Sequence, residues 1–313
     1  MASAPDSQGT VSAQFAPAAA IRPGDAVGVI APASGFERGA FDAGLAILAA
    51  RYQPEFDPGL FERHRYLAGD DARRLAELLT ALADPRLRAL FCARGGYGAT
   101  RLLARLTGAA PPGPRKPLVG FSDITALHLW LAAHGWVSIH GPVVTQLARL
   151  PVRTHARLFA LLESDQPAAP LAGTATYVPG RAEGRLIGGN LSVLSRVLGT
   201  PYMPVLEGAV LLLEDQGERP YRLDRMWVHL ELAGVFRQVR GIVLGSFTRC
   251  EEPDAPYSSA DVLRELAGAT GLPCAAGFPI GHGDENEPVA LGTRVRLDAD
   301  ARTLTFLEAA VRP

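Results

Sequence analysis

The chain has 313 residues, 48% of them apolar, and its 31 basic and 32 acidic residues leave a formal net charge of -1. That length favours two domains over one small core, and the charge balance lacks the basic excess of a nucleic-acid binder. Three widely spaced cysteines, Cys92, Cys250 and Cys274, fit neither a disulfide scaffold nor a zinc site.

No apolar run reaches the length of a membrane span, and the N-terminus lacks the basic patch and apolar core of a secretion signal. A cytoplasmic protein without membrane or nucleic-acid partners is expected. Lys116 is the only lysine, which leaves Schiff-base chemistry to that residue alone.

Residues 1–20 are rich in Ala, Ser, Pro, Gln and Gly without periodicity and are expected to be a disordered leader. A buried strand follows at Ala26–Ala31, and Pro32-Ala33-Ser34-Gly35 leaves its carboxyl end, where open parallel sheets bind ligands. Ser34 is a ligand contact or, preferably, a cap for the next helix. Helical spacing over Phe41–Ala50, a strand at Tyr52–Phe56, and a helix from Asp70-Asp71 to Asp84-Pro85 come next. Leu87–Cys92 is a strand that leaves through Arg94-Gly95-Gly96-Tyr97-Gly98, and Leu102, Leu103 and Leu106 mark a helix.

Leu118-Val119 then ends in Gly120-Phe121-Ser122-Asp123, and an apolar-periodic segment runs to about Ala133. This is a strand, a tight corner and a helix with a serine at the corner. Free N–H groups at the helix start lie beside that hydroxyl. The arrangement is like a nucleophile elbow without the G-x-S-x-G spelling; the alternative is that Ser122 or Asp123 only caps the helix.

The alternation of strands and helices predicts a parallel sheet covered on both faces, with a further strand at Trp136–His140 and a helix at Arg153–Leu162. This N-terminal α/β domain covers residues 21–165. Residues 166–183, Pro/Ala/Gly-rich, are expected to be a linker.

Residues 184–313 are expected to form a second, mixed α/β domain. Gly184–Leu191 reads as a glycine-broken turn into a helix, Ala209–Leu213 as an apolar strand ending in Glu214-Asp215, and Leu223–Leu232 as a helix. Strands at Val239–Gly245 and Pro273–Phe278 flank a helix at Ser259–Ala267. The segments Val289–Gly292, Arg294–Leu297 and Thr303–Leu307 read as antiparallel strands around turns.

The Arg94–Gly98 loop, Ser122, Glu214 and His282 each lie just beyond an apolar strand. Serine needs an adjacent base, histidine titrates in the useful range, and a carboxylate fixes its tautomer. Composition and spacing alone do not single out these three.

The segments GFSDITAL (120–127), RGGYG (94–98), LIGGNL (186–191), LLED (212–215), YRLDRM (221–226) and GHGDEN (281–286) together resemble the LD-carboxypeptidase family of serine peptidases. That family includes muropeptide LD-carboxypeptidases and microcin C immunity peptidases. The resemblance runs from about Ile21 to about Leu307. It implies Ser122 as nucleophile, Glu214 as acid and His282 as base, in a cytoplasmic, metal-free and cofactor-free homodimer.

Backbone N–H groups of Asp123 and Gly96 are the expected oxyanion donors. Tyr97 would wall the site, Asn190 would orient a loop or cap a helix, and Arg94, Arg222 or Arg225 would hold a substrate carboxylate. Asp215 is the rival acid and His140 the reserve base.

The activity implied is hydrolysis of the L–D peptide bond of murein tetrapeptides, releasing terminal D-alanine in peptidoglycan recycling. The alternative is cleavage of an aminoacyl or peptidyl nucleotide amide, for which Trp227 would offer an aromatic platform. A non-enzymatic binding module on the same scaffold is the contrasting class.

Overall fold

A computed structural model describes residues 14–106 and 110–313. The first sheet runs Val289–Leu291, Ser138–His140, Leu118–Gly120, Leu90–Cys92, Ala26–Ile30, Gln53–Glu55. Every pairing in it is parallel except that of Val289–Leu291. Strand residues alternate between two cores. Val27, Val29, Phe91 and Val119 pack on Phe41, Leu48 and Leu158, whereas Ile30, Leu90, Cys92 and Leu118 pack on Leu78, Leu82, Leu102 and Leu127.

The second sheet runs Leu171–Ala172, Thr303–Phe306, Arg294–Asp298, Arg181–Asn190, Val210–Gln216, Gly241–Thr248, Cys274–Ala276, Ala175–Val178. Its four strands from Arg181–Asn190 to Cys274–Ala276 are parallel, and those outside them pair antiparallel. Both domains are thus α/β, the second mixed, as the patterning predicts.

One apolar core joins the two. Helix Thr125–Ala133 is buried from Thr125 to Ala132, and its Leu127 and Leu131 share a cluster with Ile187, Leu211 and Leu213 of the second sheet. A helix apolar all round belongs in an interior. Truncating Leu127 or Leu131 to alanine there costs about 2–5 kcal/mol.

Four expectations need correction. Residues 1–13 of the leader lie outside the described residues, but Ala16 bridges Trp136 and Ala18–Ala19 pairs with Val311–Arg312. Residues 16–19 are tied down by backbone pairing, which composition does not reveal. The expected linker contains Leu171–Ala172 and Ala175–Val178, short edge strands whose hydrogen bonds come from distant segments.

Arg181–Asn190 is a strand rather than a turn. Leu186 and Ile187 face opposite cores, and a Cβ on Gly188 would stand 2.0 Å from Leu212 O. Glycine there permits close strand approach. Finally, Val289–Leu291 joins the first sheet, pairing with Ser138–His140. All three of its residues are buried, and it covers an edge that would otherwise leave backbone groups unpaired.

Candidate active site

The Leu118–Gly120 strand ends in extended Phe121 (φ -154°), and the chain turns at Ser122, whose φ is +63°. A left-handed serine costs about 1–3 kcal/mol and persists only where surrounding structure enforces it. Neither Ser122 nor Asp123 caps its own helix. Instead Asp123 Oδ2 accepts the Ala99 N–H at 2.7 Å, capping the helix that follows the Gly95–Gly98 loop. The Ser122 hydroxyl is therefore left for another partner.

That partner is His282. Ser122 Oγ–H donates to His282 Nε2 at 3.1 Å, and His282 Nδ1–H donates to Glu214 Oε2 at 2.6 Å. The carboxylate only accepts, so the Nδ1 proton fixes the tautomer that leaves Nε2 free to take the serine proton. Glu214 is fully buried, while the His282 side chain is 11% exposed.

Burial alone would lower the imidazole pKa, but the Glu214 charge and its hydrogen bond outweigh this and raise it above its ordinary 6.5. Burial likewise opposes ionisation of Glu214, yet the charge and hydrogen bond of His282, with His140 close by, carry its pKa down. The pair favours a carboxylate beside an imidazole ready to become imidazolium.

The loop holding His282 is fastened from below. Gly281 N–H donates to Asn286 Oδ1 at 3.0 Å, and Asn286 Nδ2–H donates to Gln146 Oε1 at 3.1 Å, with Asn286 fully buried. Asn286 closes the GHGDEN motif, but the sequence does not pair it with Gln146, which lies 140 residues away.

The Gly95–Gly98 loop lies against the elbow: a Cβ on Gly95 would stand 3.3 Å from Ser122 Oγ. Gly96 has φ +98°, and Ser34 Oγ accepts the Tyr97 N–H at 3.0 Å. Ser34 thus secures this loop and does not cap the helix Arg38–Ala49, whose capping position is Glu37. Beneath, fully buried Arg74 donates from Nη1 to Gly98 O at 2.9 Å and also to Pro32 O, and it pairs with Asp71. Arg74 was legible only as a polar residue of an amphipathic helix.

The other expected residues separate. Arg94 is exposed on the loop next to Gly95 and donates from Nη1 to Gly35 O at 3.0 Å. Tyr97 is half-exposed, its ring 5.7 Å from that of Tyr66. Arg222 and Arg225 lie on the exposed side of helix Pro220–Leu232, both over the Tyr221 ring.

Asn190 is not available to a substrate. Its Oδ1 accepts the Val193 N–H as a helix cap, and its Nδ2–H donates to Asp215. Asp215 in turn also accepts from Ser192 N–H at 2.8 Å and Gln216 N–H at 2.8 Å, and its carboxylate is engaged by these neighbours rather than by His282. Trp227 is buried and packs on Phe236 with ring centroids 4.8 Å apart, so it offers no platform.

His128 is buried between Ser138 Oγ and Gly120 O, with burial pushing its pKa down to about 3. All three cysteines are buried and unpaired, their thiols pushed up by burial. Among the described residues no cluster of three or more His, Cys, Asp or Glu is arranged as a metal-ligand set. Among the same residues no helix is long and apolar enough to cross a membrane.

Comparison with known proteins matches residues 27–141 to the LD-carboxypeptidase N-terminal domain and residues 183–297 to the LD-carboxypeptidase C-terminal domain. The chain is 36% identical to the murein tetrapeptide carboxypeptidase of Pseudomonas aeruginosa, over 88% of this chain and 93% of that one. The crystal structure of muramoyltetrapeptide carboxypeptidase from Oxalobacter formigenes superposes with a TM-score of 0.80 at 29% identity, covering 90% of this chain and 97% of that one. The microcin C7 self-immunity protein MccF of Escherichia coli shares the fold, with a TM-score of 0.84 at 22% identity over 95% of this chain and all of that one.

Proposed function

Because this chain belongs to the LD-carboxypeptidase family, we propose that it is a serine carboxypeptidase cleaving the L–D peptide bond of murein tetrapeptides and releasing terminal D-alanine. The observation that carries this reading is the continuous line Ser122 Oγ, His282 Nε2, His282 Nδ1, Glu214 Oε2 with separations of 3.1 and 2.6 Å. In it, His282 takes the Ser122 proton as Oγ attacks the scissile carbonyl, and Glu214 stabilises the imidazolium that forms. The N–H groups of Asp123 and Gly96 receive the developing oxyanion. Collapse expels D-alanine, protonated by His282, and leaves an acyl-serine. Water activated by the same imidazole then releases the shortened peptide.

Of the three arginines, Arg94 suits the terminal carboxylate best, since it adjoins Gly95, whose Cβ position is 3.3 Å from Ser122 Oγ. Arg222 is engaged by Tyr221 and Glu218 on the outer helix. Tyr97 would wall the same side. The reading takes the enzyme as a cytoplasmic homodimer that needs neither metal nor cofactor.

Buried Trp227 offers no aromatic platform for a nucleotide base, and this favours the murein substrate. The test is a mass-spectrometric turnover assay comparing a murein tetrapeptide with an aminoacyl sulfamoyl adenylate. Loss of mass corresponding to D-alanine from the first supports the reading. Cleavage of the second alone overturns it.

A further inference from the structure

Glu214 has two oxygens, and only Oε2 is engaged by His282. Oε1 is buried and has no hydrogen-bond partner among the described residues. Facing it, 3.8 Å away, is Nε2 of His140, a second histidine with no exposed surface. Both ring nitrogens of His140 are likewise buried without a hydrogen-bond partner among the described residues. Three orphaned polar atoms in one interior are rare enough to require a reason.

The topology explains how they meet. His140 is the last residue of its strand and stands in register with Gly120, two residues before Ser122. Glu214 approaches from the other domain on the strand Val210–Gln216. Between the sheets, the His140 ring lies 6.0 Å from the Phe121 ring and 6.3 Å from His128. His128 is already committed to Ser138 and Gly120. Glu214 Oε1 is therefore the polar atom left for His140 to face.

We propose that His140 is a positioning residue for the acid of the triad, directing its Nε2–H at Glu214 Oε1 so that Oε2 stays aligned on His282. The inference rests on the triad of Ser122, His282 and Glu214 proposed above. A carboxylate gripped at one oxygen can rotate about its last torsion; one contacted at both cannot. At 3.8 Å the contact is electrostatic, and hydrogen bonds of a catalytic site are often long in the free enzyme and tighten once substrate is bound. An apolar residue of similar size would pack as well against Phe121, and it would remove two buried unpartnered nitrogens. A histidine here is thus explained by the acid rather than by packing.

The role separates cleanly from packing by substitution. His140→Phe and His140→Leu fill the space without a donor, whereas His140→Gln keeps an N–H near the Nε2 position. The readout is the rate at which a fluorophosphonate labels Ser122 in the full-length protein, which needs no natural substrate, with the thermal midpoint of each variant measured alongside. The apolar variants are expected to stay folded, with midpoints equal to or above wild type, and to label at least about tenfold more slowly. His140→Gln is expected to recover most of the rate.

A packing role predicts the reverse order, with the apolar variants as fast as wild type and Gln the slowest. That result, or a Gln variant as slow as the apolar ones, overturns the proposal. Should one apolar variant not fold, the other and the Gln variant decide the order. Folded wild-type protein that does not label at Ser122 overturns the triad itself, and is thereby distinguished from a failure of His140 alone.

Discussion

Gly281 sits so close to Glu214 that a Cβ built on it would stand 2.3 Å from Oε2, the oxygen bonded to His282. Its φ of +103° is also one that side chains rarely adopt. The residue before His282 is therefore bare so that His282 and Glu214 can touch. Gly281→Ala should displace either the carboxylate or the loop by about an ångström. Misplacement on that scale costs about 10²-fold in turnover. Steady-state kcat beside a crystal structure of the variant checks this, and a folded variant with normal kcat contradicts it.

Ser122→Ala should leave the fold intact and abolish the acyl-enzyme. The side chain is half-buried, and among the described residues its only hydrogen bond is to His282. Intact-mass spectrometry after fluorophosphonate treatment reads the outcome directly. An adduct retained on the variant would place the nucleophile elsewhere.

Glu214→Gln should lower turnover at least about 10²-fold, whereas Asp215→Asn should be much milder. Asp215 faces Asn190 and Ser192, and its loss is one of cap geometry. The pH profile adds a sign. The base must be neutral, so kcat/KM should fall as pH drops through the raised pKa of His282. In Glu214→Gln the charge that raises it is gone while burial, which lowers it, remains. The acidic limb should therefore move to lower pH as the plateau falls. A limb that stays in place would show that Glu214 does not control His282.

Asp123 predicts a pH-dependent stability of the opposite sense to the usual carboxylate. Burial raises its pKa from 3.8 to about 6, against the opposing bond from Ala99 and the Arg74 charge. Its contribution is fully present below 3.8, the unfolded value, and is lost as pH rises through about 6. Asp123→Asn keeps an oxygen for the Ala99 N–H and cannot ionise. Relative to wild type it should gain stability between those two pH values, by at most about 3 kcal/mol. Denaturant unfolding of both proteins at pH 4 and pH 8 tests this; an Asn variant less stable at pH 8 than at pH 4, relative to wild type, contradicts it.

How far the sequence alone reached depends on the range of each interaction. The parallel α/β half, the corner at Ser122 and the apolar strand ending in Glu214 are local patterns, set by alternation or helical spacing within about ten residues. Those could be read directly, and motif order pointed to Ser122, Glu214 and His282. Whether they meet was not local: the serine and histidine are 160 residues apart and the histidine and glutamate 68.

The tertiary structure decided what the neighbours of these residues do. It turned Asn190 and Asp215 into a cap, put Ser34 and Arg74 under the glycine loop, and withdrew Trp227 into the core. It also moved Val289–Leu291 into the first sheet and paired Ala18–Ala19 with Val311–Arg312. Edge strands carry little periodicity of their own, since their stability comes from backbone hydrogen bonds with a distant partner. A side chain's role likewise follows from which buried polar atom it happens to face, and that is known only once the two sheets have closed around helix Thr125–Ala133.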